Sequence, residues 1–374
     1  MRSANRLPRA RIPRTLHPVA WWLWASGLAV AAGATSNPVL LVALIAVAGA
    51  VVSARRPVTP WASSYGAFLR IALVVLAFRV VLYVFLGDAG GSHVLLRVPQ
   101  LPLPHDWGVR IGGAITEEGL VTSLEDGLRL ATVLVCIGAA NSLASPARLL
   151  KVMPGALYEV GVAVGVAVSF APQAVASLGR VRRARRLRGR RERGLAALRG
   201  MAVPVLEGAL ERSVDLAAAM DVRGFGRSGD VSKRTRRGSA ALTLTGVIAV
   251  CAGSYGLLTS GAPFLLGAPL AIGGSAIAVA GFAVGSRVSR RTRYRPDPWR
   301  APEWSVVGSG VAVAAAFLVA SHVGLAGMDA AADPTAVPDV PLLALIATAI
   351  AVLPAVAAPP LRLVRYPAAA RVTS

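Results

Sequence analysis

Nine apolar runs, each close to the length of a membrane-crossing helix, constrain this chain more than any other feature. They occupy 19–35, 38–54, 66–87, 119–140, 156–178, 239–260, 262–285, 305–327 and 341–358. A hydrocarbon layer of about 30 Å is crossed by about 20 apolar residues in helical form, and a backbone in lipid must satisfy its own hydrogen bonds. No stretch alternates apolar and polar residues with a turn about every ten residues, as a transmembrane barrel would. The expected fold class is therefore an all-α polytopic membrane protein. Composition agrees: 16% of the 374 residues are charged, 55% are hydrophobic and mean hydropathy is +0.60, against about 25% charged in soluble domains. The two cysteines, Cys136 and Cys251, lie in apolar runs and exclude a disulfide framework or a Cys-based metal site.

Orientation follows from the bias of Arg and Lys toward the cytoplasmic side. Net charge is +22, and all but Lys151 and Lys233 of its positive residues are arginines, permanently charged. Arg2, Arg6, Arg9, Arg11 and Arg14 put the start of the chain inside, and Arg55 and Arg56 bring it back after two spans. A cleaved leader ending at Ala-Ala-Gly-Ala would leave the next span without its cytoplasmic start. The loop at 88–118, with Asp88, Asp106, Glu117 and Glu118, falls outside. The run at 156–178 leaves Arg148 and Lys151 and arrives at Arg180, Arg182, Arg183, Arg185 and Arg186. Both of its ends want the cytoplasm, and it contains Glu159 and Pro172, so it is read as interfacial or buried without crossing. The remaining runs then give about eight spans. The basic loop 287–300 lies inside, the loop holding Asp329, Asp333 and Asp339 outside, and both termini inside. The expected location is the cell inner or plasma membrane.

Three regions follow: a four-span membrane region at 1–140, a cytoplasmic region at 141–238, and a C-terminal membrane region at 239–374 with about four spans. In the middle region, ten arginines fall within 180–199, opposed only by Glu192. The simplest partner for such charge is membrane lipid. A pattern stands above the charge, however: Ala184-Arg-Arg-Leu-Arg188-Gly189 returns thirty-five residues later as Ala219-Met-Asp-Val-Arg223-Gly224-Phe225. On a helix the Ala and Arg share a face, Gly supplies a left-handed residue that ends the helix, and the Arg meets the negative end of the dipole. The alternative reading is that Arg-Gly caps two unrelated helices. The approach to the second copy, from Pro204 to Met220, repeats Leu206, Leu210, Val214 and Ala217 at helical spacing, with Glu211, Arg212 and Asp215 opposite: an amphipathic helix.

Pro204 through Gly226 resembles the second signature of the T component of energy-coupling-factor (ECF) transporters, which include the cobalt-transport permeases. Phe170-Ala-Pro172 followed by Ala184 to Gly189 is similar to the first, and His17-Pro18 and Ser36-Asn37-Pro38 sit where that family has comparable residues. The family usually has Ala-Arg-Gly where this chain has Leu187-Arg188-Gly189 and Val222-Arg223-Gly224, and it usually ends after one span beyond the second signature. The resemblance implies a cytoplasmic pair of long coupling helices. Their ends, with Arg188, Gly189, Arg223, Gly224, Ala184 and Ala219, would dock on two ABC-type ATPase subunits or domains. The membrane part would hold a small substrate-binding membrane subunit that takes up a vitamin or a transition-metal ion.

Enzymatic function is not expected. A P-loop needs Gly-Lys-Ser/Thr, and neither lysine follows a glycine. The histidines His17, His93, His105 and His322 lack ligand spacing, and there is no Gly-x-Ser-x-Gly elbow. No cofactor, metal or nucleic acid is expected to bind. Intramembrane charges invite a functional reading: Arg79, Glu125, Asp126 and Arg129 are candidates for charge pairing, Glu125 with Arg129 along one helix and Arg79 with Asp126 between helices. Gly161/Gly165 and Gly281/Gly285 read as close helix packing. Two other functions compete with the coupling subunit. One is a membrane-anchored binder of anionic lipid or nucleic acid through Arg180–Arg199; the other is a stand-alone secondary transporter.

Overall fold

A computed structural model describes residues 16–57, 63–86, 93–101, 111–152, 158–189, 195–225, 233–259, 263–288, 299–329 and 339–359. The basic residues up to Arg14, the loop residues Asp88, His105, Asp106 and Arg110, Arg190 to Gly194, Gly226, Arg290 to Arg295, Asp333 and the arginines after 360 lie outside them. The described chain is helical apart from one two-stranded ribbon. In order it runs α1 (Pro18–Gly33), α2 (Pro38–Arg55), α3 (Ser64–Leu86), β1 (Val94–Leu101), β2 (Ile111–Thr116), α4 (Glu117–Leu143) and α5 (Pro146–Val152). There follow α6 (Tyr158–Leu187), α7 (Leu195–Val222), α8 (Lys233–Leu258), α9 (Ala268–Val288), α10 (Ala301–Val323), α11 (Leu342–Ile350) and α12 (Pro354–Ala357). This is an all-α polytopic membrane protein in architecture. Among the described residues, six helical segments are long and apolar enough to cross a bilayer: 38–55, 64–86, 160–187, 237–258, 264–286 and 301–323.

Three expected spans fall short of that measure for local reasons. α1 has 16 residues. α4 has 27 but carries Glu117, Glu118, Glu125, Asp126 and Arg129. The last run is broken between Ile350 and Pro354, because proline lacks an N–H and its ring crowds the carbonyl four residues back. Conversely, 160–187 meets the measure although its two basic ends read as non-crossing.

The chain divides into two compact units, Met1–Pro146 with Asp297–Ser374, and Ala147–Pro296. The first unit has its core between α1, α2, α4 and α10, filled by Trp24, Leu28, Leu40, Leu41, Val135, Val306 and Phe317. Helix direction here follows from pairwise contacts. The His17 and Trp299 rings stack at 5.1 Å, Gly27 and Trp24 pack against Gly310, and Ser36 N–H donates to the Met328 carbonyl at 3.2 Å. α1 and α10 therefore run parallel. At Gly27 and Gly310 the backbones approach so closely that a Cβ would strike main-chain atoms.

The second pair repeats the sense of the first. Asn37 Nδ2 donates to the carbonyls of Gly327 at 2.7 Å and Asp339 at 2.9 Å, and Arg55 Nε, at the far end of α2, donates to Ala355 O at 2.8 Å. α2 thus runs parallel to α11 and α12. Trp24 Nε1 donates to Ala351 O at 3.2 Å. Each bond satisfies a carbonyl that a turn or helix end would otherwise leave unpaired. The helices after residue 299 are in this way built into the core of the N-terminal region.

α3 is antiparallel to α4: Gly119 faces Tyr83, Gly127 faces Leu76 and Arg79, and Gly138 faces Phe68. The segment between them, read from sequence as an outer loop, contains an antiparallel ribbon in which Val94 pairs with Thr116 and Leu101 with Ile111. Tyr83 and Thr116 hydroxyls meet at 3.2 Å, and Glu117 N–H donates to His93 O at 3.0 Å. These bonds fasten the ribbon to the helix pair that carries it.

In the second unit α8 and α9 form an antiparallel hairpin. Thr243 lies against Gly281, Gly246 against Ala278, Ala249 and Val250 against Gly274, and Gly253 against Ala271. In every layer a glycine faces a larger residue, at steps of three and four. Small residues admit the close backbone approach on which helix association in lipid depends. Gly281 is one of the glycines whose spacing pointed to such packing.

Candidate functional site

The remaining hairpin of the second unit is α6 and α7. α6 runs unbroken through Pro172, and α7 through Pro204. They touch where Arg185 lies on Gly200 and where the Arg212 guanidinium sits 5.7 Å from the centre of the Phe170 ring. Residue 185 meeting 200 and residue 170 meeting 212 make the pair antiparallel. At 1.5 Å per residue, the 28 residues of α7 separate the two Arg-Gly ends by about 40 Å.

The ends themselves are built alike. At the end of α7, Gly224 N–H donates to Asp221 O at 2.9 Å and Phe225 N–H to Met220 O at 3.0 Å, the two bonds of a Schellman cap. At the end of α6, Gly189 N–H donates to Arg186 O at 3.1 Å and Arg188 N–H to Ala184 O at 3.2 Å. Gly189 and Gly224 have φ of +75° and +73°, the left-handed region that costs other residues about 1–2 kcal/mol. In both cases the arginine is the last residue before the reversal, so its guanidinium stands at the negative end of the helix dipole. Arg188, Arg223, Ala184 and Ala219 are all exposed.

One property of these ends was not read from sequence. Leu187 is 89% exposed and Val222 is 90% exposed, each immediately before its arginine. A large apolar side chain beside a five-donor fork makes a compact element suited to a protein groove with carboxylate or carbonyl oxygens at its rim. The signal was present in the departure from Ala-Arg-Gly. On α7 the stripe Val203, Leu206, Leu210 and Val214 is also exposed, with Glu207, Glu211 and Asp215 elsewhere on the helix.

The intramembrane charges separate into two arrangements. Arg79 Nη2 and Asp126 Oδ2 are 2.7 Å apart, joining α3 to α4. Arg129 turns to α1 and donates to the carbonyls of Ala32 and Gly33, unpaired acceptors at a helix C-terminus. Glu125 is 8% exposed. Both arrangements tie helices together inside the first unit. Among the described residues no group of three His, Cys, Asp or Glu side chains is placed to hold a metal ion.

No curated protein matches the chain. The family model described as CbiQ, cobalt transport protein, matches residues 9–233, a stretch that takes in Asn37, the α3–α4 ion pair and both arginine-capped ends. The chain therefore belongs to the CbiQ cobalt transport family, that of ECF transporter T components.

Proposed function

We propose that this protein is the transmembrane coupling subunit of an ECF-type ABC importer. In this reading Arg188 and Arg223 dock on two ATPase subunits, and the membrane part holds a small substrate-binding membrane subunit that delivers a transition-metal ion or a vitamin. Membership of a cobalt transport family supports a role in membrane transport. The observation that carries the finer reading is the pair of like-built ends, each an exposed apolar residue and an exposed arginine closed by a left-handed glycine. Standing at opposite ends of an antiparallel hairpin, about 40 Å apart, they suit two separate docking sites better than one.

Helix direction supports a reading in which α6 does not cross. If α1 and α10 cross in the same sense, an odd number of crossings separates them. α2, α3, α4, α8 and α9 make five; adding α6 would make six and turn α10 around. This count leaves α6 out of the crossings, and the basic residues around it then favour the cytoplasmic side. ATP-driven movement of the two motors would then reach the membrane part through α6 and α7.

The test is co-purification. Arg188→Glu combined with Arg223→Glu is expected to abolish association with the ATPase pair while membrane insertion and thermal melting of the chain stay unchanged. Full retention of the assembly would overturn the reading.

A further inference from the structure

Helix α6 carries a feature that coupling does not use. Along one side lie Ala176, Gly179, Arg180, Arg183 and Leu187, with Val175 and Ala184 at the edges; together they line a shallow open groove. Small residues form its floor, and Val175 and Leu187 its apolar ends. Arg183 is folded back along this floor, its Nε donating to Gly179 O at 3.4 Å. That bond points the guanidinium toward the apolar part of α6 and leaves its Nη groups to donate outward. Arg180 and Arg183 are both exposed. The sole acid on α6 is Glu159, about 30 Å along the helix from Arg180, so the groove has no internal counter-charge on its own helix.

We infer that this groove binds the headgroup of an anionic phospholipid, the phosphate between Arg180 and Arg183 and the glycerol and first acyl carbons along Val175, Ala176 and Gly179. Guanidinium forks are suited to phosphate oxygens, and basic residues at an anionic leaflet each add to lipid affinity. A free phosphate would not use the apolar floor. A nucleic acid strand would call for stacking aromatics, and none lines the groove. The neighbouring α7 has the opposite character, with Glu207, Glu211, Asp215 and Asp221, so the lipid contact belongs to α6. The consequence is that the bilayer composition sets how firmly α6 is held at the membrane surface.

The test uses the full chain in a non-ionic detergent, titrated with phosphatidylglycerol or phosphatidylcholine and followed by native mass spectrometry. Phosphatidylglycerol is expected to be retained and phosphatidylcholine is not. Arg180→Gln with Arg183→Gln should weaken retention by about fivefold per arginine, and Arg180→Lys with Arg183→Lys should keep most of it. Gly179→Leu changes no charge and has room, the nearest atom to its Cβ position being Arg183 Nη2 at 4.0 Å. It should fill the floor and weaken retention as well. The exposed pair Arg234→Gln with Arg237→Gln, at the start of α8, serves as a control and should weaken retention much less than the α6 pair. A neutral Gly179→Leu, an equal loss in that control, or displacement of the lipid by inorganic phosphate or a single-stranded oligonucleotide at matching concentration would each overturn the inference.

Discussion

Two antiparallel hairpins in the same unit are held in opposite ways. α8 and α9 meet through four layers in which glycine faces Thr243, Ala278, Val250 or Ala271, so backbone lies on backbone. α6 and α7 meet through two arginines, Arg185 on Gly200 and Arg212 over Phe170, and leave Leu210 and Val214 67% and 68% exposed. A seam of small residues is complete without a partner. A pair of long helices joined by cationic arms is not: its apolar stripe and its exposed arginine-tipped ends are the surfaces that the proposed coupling role would keep available. In the proposed reading, rigid packing and docking fall to different hairpins of one unit.

The contrast can be broken most severely at the seam. Gly246→Leu with Gly281→Leu would put side chains into the main chain of Ala278 and Thr243. Overpacking costs about 1–3 kcal/mol per site where side chains can yield, and main chain yields less. The double variant is expected to lose its folded peak in detergent, measured by size-exclusion chromatography and thermal melting. Next in size is the effect of removing the exposed apolar residues beside Arg188 and Arg223. Leu187→Asp with Val222→Asp should weaken ATPase association by at least about tenfold, or about 1.4 kcal/mol, with no change in melting temperature, because neither side chain is buried. Equal losses of stability and association would show these residues to be packing elements.

The smallest expected effect is the most diagnostic. Gly208 on α7 has only Arg212 Nη2 near its Cβ position, at 3.6 Å, so Gly208→Ala should stabilise the chain by about 0.5–1 kcal/mol through helix propensity. The same change at Gly246 meets main-chain atoms of Ala278 and should destabilise it. Opposite signs from one chemical substitution, read by thermal melting of the two variants, would sharpen the distinction; the same sign at both sites would remove it.

Much of this was legible along the chain. Apolar run length marks the helices, since crossing distance and rise per residue leave little freedom. The ends of α6 and α7 were legible because glycine after a cationic residue is a local signal for a left-handed cap, and Gly189 and Gly224 both have positive φ. The ribbon at 94–116 was not, because Val94-Leu95-Leu96 does not alternate, and its pairing depends on α3 and α4 bringing His93 and Glu117 together. The pairing of Arg129 was equally hidden: Glu125 lies one turn away on its own helix, yet the guanidinium reaches the end of α1, a contact that no spacing rule encodes. The break in the last run at Ile350 came from Pro354, a local cause overlooked under a strong apolar signal.

Length, charge bias and glycine placement thus specified a helical membrane protein with two arginine-tipped rods, since each acts through neighbours along the chain. Folding in three dimensions specified which helices share a core. That α10, α11 and α12 complete the first unit by lying parallel to α1 and α2, while α9 belongs with α8, rests on contacts such as Trp24 with Ala351, Asn37 with Gly327 and Asp339, and Gly246 with Ala278. The first three join residues roughly three hundred positions apart. In lipid, where every helix surface is similarly apolar, hydropathy does not rank one neighbour above another; shape and hydrogen-bond complementarity make the choice.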